Sequence, residues 1–170
     1  MSEFWASAQL EPKKSYQYFV TFPEIGSFLI KGATLPAVEI GTIEADYTQY
    51  KFYYPGKMSW SPVEFTIYDV AGPQSAATKL QEILKDVGVQ LAVNSNNKAT
   101  MSKAAFAAKL GDIQITQLGT GGDTDVQGTW KLVNPIITSV NFGTHSYSDE
   151  GLIEVTVSIQ YDWANYTAGA

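Results

Sequence analysis

From Ile153 to Trp163 the chain alternates without a break: Ile153, Val155, Val157, Ile159, Tyr161 and Trp163 are separated by Glu154, Thr156, Ser158, Gln160 and Asp162. Successive side chains on a strand point to opposite faces, so this period of two predicts one long strand with an apolar face on a core and a polar face on water. No helix segregates these residues. Fully covered, each apolar side chain contributes roughly 1.5–3 kcal/mol as an upper bound. A slip of one residue would turn the whole set to water.

The same pattern recurs upstream. Tyr16, Tyr18, Val20 and Phe22 alternate over residues 15–22, and a turn at Pro23-Glu24-Ile25-Gly26 leads to a second short strand over 27–31, which together predict a hairpin. Residues 38–54 form a long extended arm rich in β-formers, blurred at Gly41 and closed by Pro55-Gly56. The return strand, 63–67, turns Val63, Phe65 and Ile67 inward. An arm of that length with so few inward anchors leaves an apolar edge exposed unless a partner chain covers it. Ile43, Tyr47, Tyr50, Phe52 and Tyr54 are the candidates for that contact.

Ala77, Leu80, Leu84 and Val87 fall at helical spacing within 74–87, a helix stopped by Gly88. The Ala-rich run 101–110, stopped by Gly111, suggests a second. Strands over 113–118 and 126–133 flank the turn 119–125, Pro135 opens a strand over 136–142, and a loop over 143–150 returns the chain to the final strand. The expectation is a single mainly β domain over 1–170, a sandwich or partly closed barrel of two antiparallel sheets with one flanking α-helix, and with 1–14 and 164–170 as extended termini.

Chemistry finds little foothold. The chain has no cysteine, which excludes disulfides, thiolate nucleophiles and Cys-ligated metals. His145 is the lone histidine and lies in a loop; a metal site or acid–base pair needs more convergent groups. The turn 119–125 is a single glycine/aspartate copy, whereas calcium-binding turns of that kind work in stacked arrays, and its spacing fails the dinucleotide fingerprint. No nucleophile elbow, zinc-protease or phosphate-loop pattern occurs. The expectation is a non-enzyme with no cofactor and no metal. The N-terminus, with Glu3 and no basic or long apolar stretch, gives no sign of a signal peptide or membrane span. A net charge of −6 disfavours a protein that grips nucleic acid, though not one that lets it pass. What stands out is the polar strand face: Glu64, Thr66, Gln114, Thr116, Glu154, Thr156, Ser158 and Gln160, none of them basic. From pattern alone, an ordinary solvated sheet face is the better explanation.

Lys31-Gly32-Ala33-Thr34-Leu35-Pro36 before the arm, Pro55-Gly56-Lys57-Met58-Ser59-Trp60 leading into Val63-Glu64-Phe65-Thr66-Ile67-Tyr68-Asp69, Asn134-Pro135, Ser139-Val140-Asn141-Phe142, and the finish Gln160-Tyr161-Asp162-Trp163 stand in order along most of the chain. In this it resembles the tail tube proteins of contractile-tailed bacteriophages, a superfamily shared with type VI secretion tubes. The resemblance implies hexameric rings whose strands join across subunits into a ring-shaped barrel, stacked into a virion tail tube made in the host cytoplasm. It implies sheath, baseplate and tail-terminator partners, a lumen lined by the eight polar residues through which genomic DNA passes without specific binding, and an arm reaching a neighbouring copy. The turn 119–125 and Lys131, which alternation puts on a polar face, depart from the pattern. A related contractile injection or type VI secretion tube, or a monomeric β-sandwich binding module, are the alternatives.

Overall fold

The computed structural model describes residues 12–89, 100–148 and 150–169. Two four-stranded antiparallel sheets pack face to face. One runs β1 (Tyr18–Thr21), β6 (Ile113–Gly119), β7 (Gly122–Val133), β10 (Trp163–Ala168); the other runs β2 (Ile30–Ala33), β5 (Val63–Tyr68), β9 (Glu154–Gln160), β8 (Ile136–Asn141). The strands β3 (Val38–Tyr47) and β4 (Tyr50–Trp60) form a separate hairpin. Helices α1 (Ala76–Asp86) and α2 (Lys103–Leu110) complete the fold.

Period-two patterning does what it predicts where a sheet is half buried. Val63, Phe65 and Ile67 on β5 and Val155, Val157 and Ile159 on β9 have no exposed surface, and pair across the sheet in register. They meet Val20, Ile113, Ile115 and Leu132 of the opposite sheet, and Phe22 packs edge-on against Phe65 at 5.9 Å. Leu80 and Ile83 of α1 and Phe106 and Leu110 of α2 join the same core. Ser75 and Ser102 cap these helices by accepting from the N–H groups of Thr78 and Ala105. Lys109 ties the helices together through Asp86 at 2.5 Å. Two helices rather than one therefore flank the sheets.

The expected final strand is broken. Ile153, half buried, precedes β9, and Trp163 is exposed because the chain changes sheets at Tyr161-Asp162: β9 belongs to one layer, β10 to the other. Tyr161 is buried and donates its hydroxyl to the Ser61 carbonyl at 2.9 Å. The Asp162 carboxylate accepts from Lys103 at 2.6 and 2.7 Å and from Asn134 at 2.9 Å. These donors, Lys103 first, hold its pKa below the usual carboxylate range. Asn134, at φ 53°, makes the other crossing, from β7 to β8, so one carboxylate fastens both. Asparagine tolerates this left-handed backbone better than most residues.

Two turn readings are also overturned. The segments at 15–22 and 27–31 do not pair as a hairpin. β1 pairs with β6 and β2 with β5, and a short 3₁₀ turn, Ser27–Leu29, carries the chain from one layer to the other. Nor does Pro55-Gly56 close the arm. The arm turns at Thr48-Gln49, with Thr48 at φ 50°, and Pro55-Gly56 lies within β4. Pairing passes from Ile40–Met58 to Thr42–Pro55, so β4 spends one residue more than β3 there, a bulge. Only glycine fits: a Cβ on Gly56 would lie 2.9 Å from the Gly41 carbonyl oxygen.

Candidate functional site

The eight polar candidates divide between the layers. Glu64, Thr66, Glu154, Thr156, Ser158 and Gln160 share the outward face of the β2-β5-β9-β8 sheet, where Glu64 stands opposite Ser158 and Thr66 opposite Thr156. Gln114 and Thr116 lie on β6 in the other sheet, and Thr116 is buried, its hydroxyl 3.3 Å from that of Thr129. Alternation on β6 holds over Ile113, Gln114 and Ile115 and fails at the buried Thr116, and a strand's pattern does not say which layer it joins. Lys131 pairs with Gln114 on that second sheet and forms an ion pair with Asp112 at 2.7 Å.

One cation that sequence reasoning left out borders the six-residue face. Lys31, at the irregular step in β2, reaches Glu154 at 2.5 Å and lies over the Tyr68 ring at 5.6 Å. The hydrogen bond to Glu154 holds its pKa above the ordinary lysine value, so it stays charged and paired. The face remains polar with its positive charge neutralised. Its signal in sequence was present, since Lys31 precedes Gly32 where a bulge was possible, but the bulge hides which side the lysine takes.

Among the described residues both edges of this sheet are open: β2 pairs with β5 alone, and β8 with β9 alone. Every pair in it is antiparallel, so with four strands the two edges run in opposite directions. The β8 edge of one copy therefore fits the β2 edge of the next in the same antiparallel sense as the pairs inside the sheet.

The arm presents the second surface. Side chains of cross-strand partners point the same way, so Ile43 and Tyr54, Ala45 and Phe52, Tyr47 and Tyr50 form one apolar face near the tip, backed by Glu44 paired with Lys51. Nearer the base, Val38 with Trp60 and Ile40 with Met58 form an apolar face on the opposite side. On β3 the change of side follows from the odd spacing of Ile40 and Ile43, and on β4 the bulge lets Met58 and Tyr54 follow suit. This explains the blurred alternation at Gly41. All five arm candidates, Ile43, Tyr47, Tyr50, Phe52 and Tyr54, are more than half exposed. The arm is fixed at its base, where Gln160 donates to the Trp60 carbonyl at 3.0 Å and Trp60 packs on Tyr161 at 5.9 Å.

Among the described residues, no group of three or more His, Cys, Asp or Glu side chains is placed to hold a metal, and no helix is long and apolar enough to cross a membrane.

Neither a family model nor a curated protein matches the chain. Solved structures do. A chain of the PVC sheath/tube terminator of an extracellular contractile injection system superposes with a TM-score of 0.68 at 16% identity, over 95% of this chain and 100% of that one. The tube terminating cap of the anti-feeding prophage gives 0.67 at 16% identity over 99% and 100%. The SPP1 tail tube gives 0.53 at 16% identity over 93% and 80%. The chain has the fold seen in these tube assemblies, the fold class to which the sequence resemblance pointed.

Proposed function

We propose that this chain is a structural subunit of a tail-type tube, assembling into stacked hexameric rings. The observation that carries the proposal is the β2-β5-β9-β8 sheet: one face in the core, the other lined by Glu64, Thr66, Glu154, Thr156, Ser158 and Gln160, and both edges unpaired among the described residues and oppositely directed. Joined edge to edge between copies, such sheets close into a barrel with no free edge, which is how a β protein escapes uncontrolled edge pairing. The polar face lines the bore, and Gln114 and Thr116, in the outer layer, do not. The arm crosses to a neighbouring copy.

A bore of this chemistry suits the passage of a polyanion. Each lysine or arginine free to meet phosphate would add a contact that slows sliding, whereas hydroxyls, amides and carboxylates keep the path hydrated. Lys31 is held by Glu154 and does not act as a free cation. The reading therefore takes genomic DNA as cargo, in a virion tail with sheath, baseplate and terminator partners. The fuller superposition on the extracellular injection systems favours a second reading, a tube that delivers protein.

Negative-stain microscopy of the purified protein tests the assembly: rings or tubes with an axial hole are expected, and a monomer at every concentration and with every nucleating partner overturns it. Glu64→Lys tests the bore. Glu64 lies mid-face opposite Ser158, so the substitution leaves no carboxylate across the pair; the added cation should leave rings intact and impair cargo delivery, whereas undiminished delivery from assembled particles removes the lumen assignment. Nuclease-protected DNA inside assembled particles separates the two cargoes.

A further inference from the structure

At one side of the sandwich the two layers part. Between the edge strands β1 and β2 lies a cleft of about 730 Å³, walled by Tyr16, Tyr18, Phe28 and Leu35 and floored by Ile115. Phe28 is 81% exposed at its rim, an unusual position for a phenylalanine. At the opposite edge of the inner sheet, the loop that leaves β8 carries Phe142, partly exposed, and Tyr147, which stands wholly clear of the fold. Within one subunit these features are kept apart, since β5 and β9 lie between β2 and β8, a separation of roughly 14 Å at about 4.8 Å per strand step.

We infer that the β1–β2 cleft receives the β8–β9 loop of the adjacent copy in the ring, with that copy's Tyr147 seated against Phe28. The inference rests on the ring reading above and adds the socket and its occupant. Strand direction carries it. Ile30, which opens β2, pairs with Ile67, and Asn141, which closes β8, pairs with Thr156, so both lie at the end of the sheet marked by Tyr68 and Glu154. When β8 of one copy pairs antiparallel with β2 of the next, the chain leaving Asn141 runs alongside the residues that precede Ile30, among them Phe28. Tyr147 is six residues past Asn141, a reach of up to ~20 Å in extended chain, ample for one strand spacing. An aromatic ring with a hydroxyl suits a cleft with apolar walls and an open polar mouth.

Because the chain has no cysteine, paired cysteines give an unambiguous readout. The doubly substituted chain Phe28→Cys/Tyr147→Cys, assembled and treated with a short bismaleimide, should yield a ladder from dimer to hexamer on a denaturing gel. The pair Gly32→Cys/Ser139→Cys reports the strand seam independently. A ladder from both pairs supports the inference. A ladder from the seam pair with none from the cleft pair overturns the inference and leaves the ring reading standing. Crosslinking of the cleft pair without change of size overturns it too, since the loop would then fill its own cleft. So does dimer formation by Tyr147→Cys alone, which would show loop meeting loop. No ladder from either pair and no rings by microscopy overturns both readings.

Discussion

Replacing Phe52 by alanine should weaken assembly while leaving the subunit as stable as before. Phe52 faces Ala45 across the arm, lies outside the core cluster, and is 53% exposed. A phenylalanine offers roughly 200 Å² for burial, so about 100 Å² remains for a neighbouring copy to cover. At about 25 cal/mol per Å² that is ~2.5 kcal/mol, of which alanine would forgo about 2 kcal/mol, or roughly thirtyfold in the association constant at each contact. The proposed rings would repeat the contact around their circumference, so the concentration at which they appear should rise by at least that factor. Sedimentation across a dilution series measures it, with microscopy to identify the species. The melting temperature of the dispersed subunit should stay within ~1 °C. By contrast Phe65→Ala, at a position with no exposed surface, should cost the subunit itself about 3–5 kcal/mol. Unchanged assembly of Phe52→Ala would refute the arm as an interface; a melting temperature several degrees lower would show that the ring is buried in its own subunit.

Gly56→Val should produce the same separation by another route: its Cβ meets the Gly41 backbone, which cannot swing aside, so the bulge rearranges and assembly falls while the core melts normally, with arm amide exchange as the check. Tyr161→Phe removes the hydrogen bond to Ser61 and should cost about 1 kcal/mol, ~2–4 °C in melting temperature. Burial holds the Tyr161 pKa above its ordinary value, so its contribution is complete below the unfolded value near ~10 and is lost as pH rises towards the folded one. Urea melts from pH 8 to 11 should therefore show a shallower alkaline decline in the variant, the remainder belonging in part to Tyr18, also raised by burial. Asp162, whose pKa is lowered, works in the opposite sense. Its contribution is present above about pH 4 and is lost as pH falls through the lower folded value, so Asp162→Asn should be less stable than the parent at neutral pH and converge with it in acid.

Where a strand is half buried, its sequence announced it: Val63-Glu64-Phe65-Thr66-Ile67 and the run from Val155 to Ile159 have their faces where alternation put them. What alternation does not encode is the choice of partner. The corner at Tyr161-Asp162 keeps the period intact while the chain changes sheets, so one apparent strand conceals two. β10 escaped notice because Trp163-Ala-Asn-Tyr-Thr-Ala is an outer edge strand, mostly exposed, with no apolar rhythm. Pro55-Gly56 has turn composition, yet its cause is the close approach of the Gly56 and Gly41 backbones, brought together by the real turn at Thr48-Gln49, which carries neither glycine nor proline. For the candidate site, the six residues of one sheet were legible together, whereas Gln114 and Thr116 were assigned to it only because their alternation looks the same.

The arm also bears on how a tube would begin. A lone two-stranded hairpin is marginal in water, and this one touches its own subunit mainly at Trp60 and Ser61. Holding it in one shape therefore costs conformational entropy that the free subunit recovers little of, and docking onto an existing ring supplies the missing contacts at once. Starting a new ring requires several such arms to settle before any is fully covered. Elongation at a ready-made end should thus outrun spontaneous initiation, leaving a primer to decide where and how many tubes grow.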